Sequence, residues 1–433
     1  MNSTAEINSN AARSTSIDKD ILIVGGGMVG ASMACALANL GYRIGVIEAF
    51  AFSRPSGSTG QTNNQSNMQP SFDARSIALA EGSRRIFDTL GLWDDMVDSA
   101  CPIQTIHISD QGHWGNTRLR AEEMGVDGLG YVIENRAIGA ALMAKLDRSE
   151  NVELIAPANL IGLQADTHHA RAIIEKESHS HSLSARLIIA ADGGNSAVRK
   201  LLSIGTDQTD YDQTAIIANV GTNQNHQQIA YERFTRTGPL ALLPMTGDKR
   251  YSLVLTVKQN QAHDILSLDD ENFLALLQAR FGFRAGRFVR TSKRHAYPLS
   301  LVRIQKHTDD RVVFIGNAAH TLHPVAGQGF NLGIRDVAAL AQVLADAKEQ
   351  SQDPGETSTL TRYEQWRLKD QDNVARITDS LVKIFSNDLF PLNRVRSKGL
   401  IATNLMPAAK TSVARHAMGL SGRMTKLARG IPL

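Results

Sequence analysis

The segment from Asp20 to Glu48 is the feature that most constrains the fold of this chain. It begins with an apolar run, Asp20 to Gly25, that is typical of a parallel strand covered on both faces. The pattern Gly25-x-Gly27-x-x-Gly30 follows at once, and a helix of small residues is predicted from Ala31 to Leu40. A second strand, Arg43 to Ile47, ends at Glu48. This order of strand, glycine turn, helix and strand predicts a Rossmann-type unit.

Each glycine of this turn has its own physical reason. Gly25 allows the tight turn, Gly27 lets the backbone approach a pyrophosphate, and Gly30 lets helix and strand pack closely. The helix N-terminus supplies N–H groups and a partial positive charge for the phosphates. Glu48 is placed to accept hydrogen bonds from the ribose hydroxyls of an adenosine. The unit therefore predicts a bound dinucleotide, without deciding between FAD and NAD(P).

Two later segments repeat the change from an apolar strand to a glycine-containing turn. The first runs from Leu187 to Arg199 and contains Asp192 and Gly193. The second begins at Val312, carries Gly316 and Asn317, and leads into a helix of about four turns that is predicted to run on through Leu344. The glycine loop before that helix contains Pro324, Gly327, Gln328, Gly329 and Asn331.

Together the three segments resemble the fingerprints of the class A flavin aromatic hydroxylases, which have the para-hydroxybenzoate hydroxylase fold. The resemblance implies that FAD is the cofactor and that NAD(P)H binds transiently as the reductant. It also implies that the Gly316-Asn317 turn lies against the ribityl chain, with the following helix N-terminus facing the pyrimidine end of the flavin. That family usually has Gly-Asp at this turn. Asn317 can still accept a hydrogen bond from a ribityl hydroxyl through its carbonyl oxygen.

Further strings are similar to the hydroxylases of ubiquinone biosynthesis that act on 2-polyprenyl-6-methoxyphenol. The similarity implies that O₂ hydroxylates the ring of a lipophilic phenol by way of a C4a-hydroperoxyflavin. Two alternatives stay open: a sister enzyme acting at another ring position, and an FAD-binding scaffold without turnover. The strings are Phe72 to Leu79, Glu232 to Thr235, Gly238 to Met245, Tyr297 to Leu299 and Gly316 to Pro324.

Because the organic chemistry belongs to the flavin, the resemblance implies residues that position the reactants. Arg75 and Arg136, each on a predicted helix, are expected in segments that contact FAD. The strand Gly238 to Met245 is apolar at consecutive positions and is expected to form the substrate wall. Its proposed lining residues are Leu240, Leu242 and Pro244.

Three residues of the last segment are the candidates for a direct part in catalysis. Pro324 lies in the loop that is expected to approach the reacting edge of the flavin. His320 and His323 lie beside that loop. These histidines either relay a proton or only hold the loop by hydrogen bonds.

The composition excludes several other classes of protein. A net charge of +3 over 433 residues is too small to indicate a nucleic-acid partner. Cys35 and Cys101, the two cysteines, lie far apart, which excludes a C-x-x-C redox pair and a thiolate metal cluster. Cys35 is expected to pack within the first helix. The histidines at 168, 169, 179 and 181 flank a charged strand and are interpreted as exposed hairpin ends, so no metal site is predicted.

These signals predict an α/β protein with a Rossmann-type FAD-binding domain, a mixed-sheet substrate domain and a helical C-terminal region. The polar N-terminal residues are interpreted as a disordered leader rather than a signal peptide. The expected boundaries are 1–17 for the leader, 18–98, 128–203 and 299–345 for the FAD-binding domain, 99–127 and 204–298 for the substrate domain, and 346–433 for the helical region.

The last part of the chain is basic, because residues 389–433 contain eight Lys or Arg and no Asp or Glu. This pattern predicts a helix lying on an anionic membrane surface, which would give access to a membrane-dissolved substrate. The protein would then be cytoplasmic and peripheral, on the inner face of the cytoplasmic membrane. The alternative is a basic helix packed on the body or onto a partner, such as another quinone-biosynthesis protein. The predicted apolar face contains Val413, Ala417, Leu420, Met424 and Leu427.

Overall fold

The structure, a computed structural model, describes residues 17–52, 73, 75–321, 327–385 and 406–433. Residues 1–16 of the predicted leader lie outside these ranges. The strands are β1 Lys19–Val24, β2 Ile44–Ile47, β3 Ser76–Ala80, β4 Ala100–Pro102, β5 Thr105–Asp110, β6 Asn116–Arg120, β7 Gly130–Glu134, β8 Val152–Ile155, β9 Asn159–Ala165, β10 Ala170–Lys176, β11 His179–Ala190, β12 Thr206–Thr222, β13 Ile229–Thr235, β14 Gly238–Pro244, β15 Arg250–Lys258, β16 Phe288–Thr291, β17 His295–Ile304, β18 Thr308–Asp309, β19 Val312–Phe314 and β20 His320–Thr321. The helices are α1 Met28–Leu37, α2 Glu81–Thr89, α3 Ala121–Met124, α4 Asn135–Leu146, α5 Ala197–Leu201, α6 Gln259–Ser267, α7 Asp270–Phe281, α8 Gln328–Glu349, α9 Thr357–Phe385 and α10 Pro407–Ala417.

A parallel sheet carries the segments that the sequence marks for the dinucleotide. Its parallel strands lie in the order β19, β11, β1, β2 and β8, and β18 pairs antiparallel with β19 at one edge. Residues 21–24 of β1 and all of β2 are buried, as expected for strands covered on both faces. Alternate residues of β1 face α1, α4 and α8 in one apolar cluster. The prediction of an α/β fold with a Rossmann-type unit is confirmed.

Helix α1 lies at the centre of that packing because its side chains are small. Ala31, Ala34 and Cys35 are buried, and α1 contacts both α4 and α8. Burial raises the pKa of the Cys35 thiol to about 12, so the thiol stays protonated and packs rather than reacts. The helix starts at Met28 and ends at Leu37, three residues earlier at each end than the sequence predicts.

The second large sheet has nine strands and is mixed. Along its main path the order is β20, β17, β12, β15, β14, β13, β5 and β6, and β16 pairs with β12. The pair β13 and β5 is parallel, whereas the other pairs are antiparallel. Helices α6 and α7 cover one face, where Phe273 and Leu277 pack against alternate strand residues. The predicted mixed sheet is confirmed.

A three-stranded antiparallel sheet, in the order β3, β7 and β4, connects the two larger sheets. Val132 of β7 packs with Ala230 and Met245 of the nine-stranded sheet side. Helices α2, α4 and α8 also contact β3 or β7. An ion pair of 3.3 Å joins Glu134 at the end of β7 to Arg250 of β15. The small sheet therefore sets how the parallel sheet faces the mixed one.

The histidines that flank the charged strand lie at hairpin ends, as predicted. His168 and His169 lie in the turn between β9 and β10, and His179 and His181 lie at the start of β11. His168, His179 and His181 are exposed, and His169 is partly buried. The carboxylate of Asp166 accepts hydrogen bonds from the backbone N–H groups of His168 and His169, which fixes that turn.

The C-terminal residues turn back onto the body of the protein, so the predicted long surface helix is wrong. Helix α10 ends at Ala417, and Gly419 follows in the left-handed region with a φ of +68°. Ala414 is 0% exposed, and Leu420 and Leu427 are 8% and 1% exposed. These side chains pack into two apolar clusters of the body. Of the apolar face expected to meet a membrane, Leu420 and Leu427 are buried in the body, whereas Val413 is 42% exposed.

Basic side chains of the same region also have partners on the body. The Lys410 Nζ atom lies 2.6 Å from a carboxylate oxygen of Glu123. The Arg423 guanidinium lies 3.9 Å from the centre of the Trp366 ring, within the range of a cation–π contact. Among the described residues, no helix is both long enough and apolar enough to cross a membrane.

Candidate functional site

The turn between β1 and α1 has the geometry that its glycines predict. Gly25 has a φ of +99°, and a Cβ added there would lie 2.5 Å from the carbonyl oxygen of Ala191. A Cβ at Gly30 would lie 1.8 Å from the carbonyl oxygen of Gly25. A side chain at either position would collide with backbone, so the close approach of strand, turn and helix requires glycine.

The N-terminus of α1 is open to an anion. Gly27 precedes the helix with extended backbone, no side chain caps it, and the first turn contains no acidic residue. Its first N–H groups have no partner within the helix, and the helix dipole adds a partial positive charge. The α1 N-terminus therefore fits the pyrophosphate of a dinucleotide.

Glu48 follows β2 and faces the glycine turn. Its side chain is 7% exposed and accepts hydrogen bonds from the N–H of Gly26 at 2.6 Å and of Phe50 at 3.0 Å. A carboxylate in this place is an acceptor suited to ribose hydroxyls. Glu48 also fixes the backbone of the turn that would hold the pyrophosphate, a second role that its spacing alone does not indicate.

Asp192 and Gly193 follow the carboxyl end of β11, which is the edge of a parallel sheet where ligands bind. Asp192 Oδ2 accepts from the Val198 N–H at 3.1 Å, whereas its Oδ1 atom is buried without a hydrogen-bond partner in the part of the chain that the structure describes. Burial raises the pKa of Asp192. A buried acceptor left open in this way is what a ligand donor would satisfy.

Arg199 joins the second glycine segment to the third. Its guanidinium donates to the carbonyl oxygen of Gly194 at 2.6 Å and to that of Ala318 at 2.9 Å. The sequence places Arg199 at the end of the second segment but gives no sign of this bridge, because Ala318 lies 119 residues away. The bridge holds two of the three segments in one geometry.

The third segment meets the first at Val29. Gly316 has a φ of +59°, and a Cβ there would lie 3.0 Å from Val29 Cγ1. Gly316 begins a single 3₁₀ turn that ends at Ala318, and Asn317 in that turn is exposed. The structure therefore brings Asn317 and the α1 N-terminus to the same side of the sheet with the Asn317 side chain free of burial.

Asp336, on α8, is the hub of a buried polar cluster beneath this turn. Its side chain is 0% exposed. Oδ2 accepts from the Gly316 N–H at 3.1 Å, and Oδ1 accepts from Arg367 Nε at 2.7 Å and from Gln371 Nε2 at 3.0 Å. Arg367 and His320 hold the pKa of Asp336 far below its ordinary value despite its burial. The carboxylate thus stays charged and fixes the start of the 3₁₀ turn.

His320 belongs to the same cluster. Its Nε2 atom lies 2.6 Å from Asp336 Oδ2, and the residue is 4% exposed. Its Nδ1 atom is buried without a hydrogen-bond partner among the described residues. This geometry favours the holding role over the proton relay, because Nε2 is engaged by a carboxylate that also holds the turn. His323 and Pro324, the other catalytic candidates, lie outside the described residues.

The start of α8 is held against β3. Gly327 has a φ of +61°, and a Cβ there would lie 3.2 Å from the Cβ of Ala78. Asn331 donates to the carbonyl oxygens of Ala78 and Gly327, both at 2.8 Å, and accepts from the Ala80 N–H at 2.8 Å. The backbone thus occupies both amide protons of Asn331, so this residue positions the loop rather than donating to a ligand.

Gln328 and Gly329 form the first turn of α8. Gln328 is 7% exposed, and its Nε2 atom lies 3.4 Å from the carbonyl oxygen of Ala417 at the end of α10. Within the described residues, no neighbouring atom lies within 4 Å of a Cβ added at Gly329. The protein leaves open space at Gly329, which suits the approach of a flat ring to the helix N-terminus.

Arg75 and Arg136 lie close together, but only one is helical. Arg136 is in the first turn of α4, whereas Arg75 precedes β3 in extended backbone, so the prediction of a helix at Arg75 is wrong. Asp73 connects them: it forms an ion pair with Arg75, and its carbonyl oxygen accepts from the Arg136 N–H at 2.9 Å. Arg75 Nη1 also donates to the Tyr297 hydroxyl at 3.1 Å. This contact crosses to β17 of the mixed sheet.

The residues proposed to line the substrate lie on the face of β14 that α6 and α7 cover. Leu240 and Leu242 are 0% exposed and pack into the core beneath α6 and α7. Pro244, two residues further along the strand, lies on the same face because strand side chains alternate. The opposite face carries Ala241 and Leu243, both of which retain some exposure. The continuous apolar run gave no sign of which residues face the helices.

Glu232, on β13, lies on the face that α6 and α7 leave uncovered. It pairs across the strands with Ala241, and its neighbour on the other side is Ile108 of β5. Burial raises the pKa of Glu232 to about 7. A carboxyl group that is neutral or charged near physiological pH, set on an apolar face, is typical of a functional site.

The residues of the three segments together fit FAD. The glycine turn and α1 N-terminus suit the pyrophosphate, Glu48 suits the adenosine ribose, and Asp192 offers an open acceptor between the segments. The exposed Asn317 and the open space at Gly329 suit the ribityl chain and the flavin ring. NAD(P) alone would leave the third segment without a ligand.

Comparison with known proteins gives the same answer. The chain matches the family model described as "FAD binding domain" over residues 18–378. It is 37% identical to the ubiquinone hydroxylase UbiL of Rhodospirillum rubrum over 422 residues, which cover 96% of this chain and 93% of that protein. It is 31% identical to the 3-demethoxyubiquinol 3-hydroxylase of Escherichia coli, with coverage of 93% and 98%.

A solved structure supports the fold. The p-nitrophenol 4-monooxygenase PnpA of Pseudomonas putida aligns with a TM-score of 0.76 over 94% of this chain and 99% of that one, at 18% sequence identity. At this sequence identity, the similarity to that structure supports the fold alone. Taken with the family match and the full-length relatives, it means that the chain belongs to the FAD-binding family of flavin-dependent hydroxylases in which the ubiquinone hydroxylases are found.

Proposed function

We propose that this protein hydroxylates the aromatic ring of a polyprenyl methoxyphenol in ubiquinone biosynthesis, with FAD as cofactor, O₂ as oxidant and NAD(P)H as transient reductant. One observation carries the proposal: three segments that together fit FAD lie in a chain that aligns along 96% of its length with a ubiquinone hydroxylase. When bound and reduced, FAD supplies the activation of O₂.

The cofactor would be held by residues from all three segments. Gly25, Gly27 and Gly30 would admit the pyrophosphate, and Glu48 would hold the ribose. Asp192, Gly193, Gly316 and Asn317 would border the ribityl chain, and Gly327, Gln328 and Gly329 the flavin ring. Arg75, Arg136 and Asn331 would hold the surrounding loops. This assignment also supports the proposed domains, with the FAD segments in 18–98, 128–203 and 299–345 and the substrate sheet in 99–127 and 204–298.

The substrate would lie on the uncovered face of the mixed sheet. Ala241 and Leu243 supply apolar contact there, which excludes water from the reacting ring. Glu232 is placed to accept the proton of the phenol hydroxyl, because its pKa of about 7 makes the carboxylate available near neutral pH. Loss of that proton makes the ring more electron-rich, which its hydroxylation requires.

The exact ring position is the point at which two candidates compete. The sequence strings resemble enzymes that act on 2-polyprenyl-6-methoxyphenol. The similarity to the 3-demethoxyubiquinol 3-hydroxylase of Escherichia coli favours a sister reaction at another position. Profiling quinone intermediates in a strain that lacks this protein decides between them: a methoxyphenol should accumulate, and accumulation of another intermediate would favour the sister reaction.

We also propose that the protein works at the cytoplasmic face of a membrane. A polyprenyl chain partitions into a bilayer, so an enzyme that docks there meets its substrate at high local concentration. The described part of the C-terminal region packs Ala414, Leu420 and Leu427 against the body, so we propose that another surface docks. Contact with other quinone-biosynthesis proteins is a further proposal of the same kind.

The reaction is tested with purified protein, FAD, NAD(P)H and a short-chain methoxyphenol under ¹⁸O₂. Oxygen-18 in the ring of the product supports a hydroxylase. Uptake of FAD without turnover would instead support a binding scaffold. The Glu232→Gln variant should lower kcat/KM and remove the rising limb of its pH profile near pH 7 while binding FAD normally. A pH profile unchanged in this variant would exclude Glu232 as the base.

A further inference from the structure

A cationic cleft lies at the ends of β5 and β13, away from the FAD segments. The cavity has a volume of about 400 Å³. Two arginines and two histidines line it, together with one carboxylate, Asp110. The residues used below are His107, Asp110, His113, Trp114, Arg233 and Arg284.

The positive charges in this cleft crowd one another. Arg284 Nη1 lies 2.8 Å from His107 Nε2. Burial, together with Arg284 and Arg118, lowers the pKa of His107 to about 4, so this histidine is neutral and its Nε2 accepts from the arginine. Burial and the nearby Arg284 likewise lower the pKa of Arg233. Such crowding is relieved when an anion binds.

Two buried N–H groups of the cleft have no acceptor among the described residues. One is Arg233 Nε. The other is His107 Nδ1, which carries the ring proton because Nε2 accepts from Arg284; His107 is 3% exposed. Buried donors are normally paired, and an unpaired one costs about 1–3 kcal/mol. A phosphate oxygen would accept from both.

The cleft is separate from the site proposed for FAD and substrate. His107 lies opposite Tyr231 in the neighbouring strand, and Arg233 lies two residues after Tyr231. Both side chains are therefore on the face of the sheet that α7 covers. On that face, Tyr231 packs against Phe281 with ring centroids 5.3 Å apart. Glu232 points to the opposite face, because strand side chains alternate. The arginines therefore have no part in the substrate wall.

One exposed aromatic side chain lines the cleft, and a second is the sequence neighbour of a lining arginine. Trp114, in the turn between β5 and β6, is 96% exposed and lines the cavity. Phe283, next to Arg284 in sequence, is 67% exposed. Exposed tryptophan and phenylalanine beside arginine are typical of surfaces that enter the interface of a bilayer, where rings meet the acyl boundary and guanidinium groups meet phosphate.

We propose that this cleft binds the phosphate of an anionic phospholipid, with Arg233, Arg284 and His107 as donors and with Trp114 and Phe283 entering the interface. The two rings favour a lipid over a soluble phosphate, because a soluble ligand would leave both rings in water. The inference rests on the proposed function, since a membrane-dissolved substrate gives the enzyme a reason to dock.

Cosedimentation of the FAD-loaded protein with vesicles tests the proposal. The wild-type protein should bind vesicles of phosphatidylcholine with phosphatidylglycerol but not vesicles of phosphatidylcholine alone. The variant Arg233→Gln/Arg284→Gln should bind roughly 30-fold more weakly, since a surface arginine contributes about fivefold. Trp114→Ala/Phe283→Ser, which changes only exposed side chains, should also lose binding. The matched control is Ile161→Ser/Arg171→Gln, which removes one exposed apolar and one exposed basic residue from the β9–β10 hairpin.

Four outcomes would overturn the proposal. The first is equal vesicle binding by the wild-type protein and both cleft variants, and the second is an equal loss of binding in the control. The third is binding of glycerol phosphate in the cleft without any binding to vesicles. The fourth is a change of oligomeric state in the cleft variants. Hydroxylation of a soluble short-chain phenol, measured in parallel, should be unchanged in the variants. Failure of that reaction in the wild-type protein would count against the proposed function and leave the lipid result standing.

Discussion

Asp336 Oδ2 lies 2.6 Å from His320 Nε2, deep in the protein and below the turn that carries Asn317. The same oxygen accepts from the backbone of Gly316, so one buried atom joins a side chain and the turn. The Asp336→Asn variant should lose about 3 kcal/mol of unfolding free energy, because the buried Arg367 would keep only its more exposed partner, Asp370.

The measurement for Asp336→Asn is urea unfolding together with the dissociation constant for FAD, which should rise. Asp370→Asn is the matched control, because Asp370 also pairs with Arg367 but its side chain is 26% exposed. We expect it to cost about 1 kcal/mol or less. Equal losses in the two variants would show that Asp336 is not the hub.

Gly30 and Gly329 make a second pair of variants. A methyl group at Gly30 would meet the Gly25 carbonyl oxygen at 1.8 Å, so Gly30→Ala should bind FAD at least about 100-fold more weakly and unfold at lower urea. Gly329→Ala has room in the protein and should keep its stability. If the flavin ring lies against Gly329, this variant should still bind FAD more weakly. Unaltered FAD affinity in Gly329→Ala would move the ring elsewhere.

Replacement of Glu48 by Ala should affect the cofactor rather than the chemistry. Loss of the ribose hydrogen bonds, and of the hydrogen bond to the Gly26 N–H, should weaken FAD binding by roughly 10- to 100-fold. At saturating FAD, kcat should stay within about twofold of the wild-type value. Fluorescence of released FAD and steady-state kinetics measure the two effects. A large fall in kcat at full loading would give Glu48 a role beyond anchoring.

Leu242 and Leu243 are neighbours that should behave differently. Leu242→Ala should cost about 2–5 kcal/mol of stability, because its side chain is fully buried beneath α6 and α7. Leu243→Ala should unfold nearly as the wild type does but raise the KM for a prenylated phenol by about tenfold. The opposite pattern of effects would return the substrate wall to the face of Leu242.

Glu232 should make stability depend on pH in a known direction. Its pKa of about 7 in the fold is above the ordinary 4.5, so its contribution is complete below about pH 4.5 and lost as the pH rises through about 7. Glu232→Gln stays neutral and should gain stability over the wild type at about pH 8 compared with about pH 5. Urea unfolding at both values measures this. Glu150→Gln, at an exposed site, should show no such gain.

The parts of the site that could be predicted from the sequence are those formed by residues close together in the chain. Gly25, Gly27 and Gly30 lie within six positions, and the collision that excludes a side chain at Gly30 is with the carbonyl oxygen of Gly25 in the same turn. The polar cluster could not be predicted in this way, because Arg367 and Gln371 reach Asp336 from another helix, 31 and 35 residues away. The one local sign was Asp336 itself, an acid directly before the apolar stretch Val337 to Ala341 of the helix.

Two wrong predictions share a cause. An apolar pattern in the sequence shows which residues share a face, but it does not show what that face packs against. The run from Gly238 to Pro244 is apolar at consecutive positions, so its alternation cannot show which leucines face α6 and α7. Leu420 and Leu427 form an apolar pattern that suits a bilayer or a protein core equally well. Both side chains pack into the protein core, because the body offers matching apolar clusters and the chain turns at Gly419.

The contact between Gln328 and the Ala417 carbonyl has a consequence for how the enzyme is made. The ribosome releases the glycine turn at Gly25 early, but Gln328 gains its contact with Ala417 only after α10 has been synthesised. A nascent chain can therefore form its parallel sheet long before it can hold the flavin ring firmly. Cofactor capture should be a late event in biogenesis, and a chain stalled before Ala417 should be released without FAD.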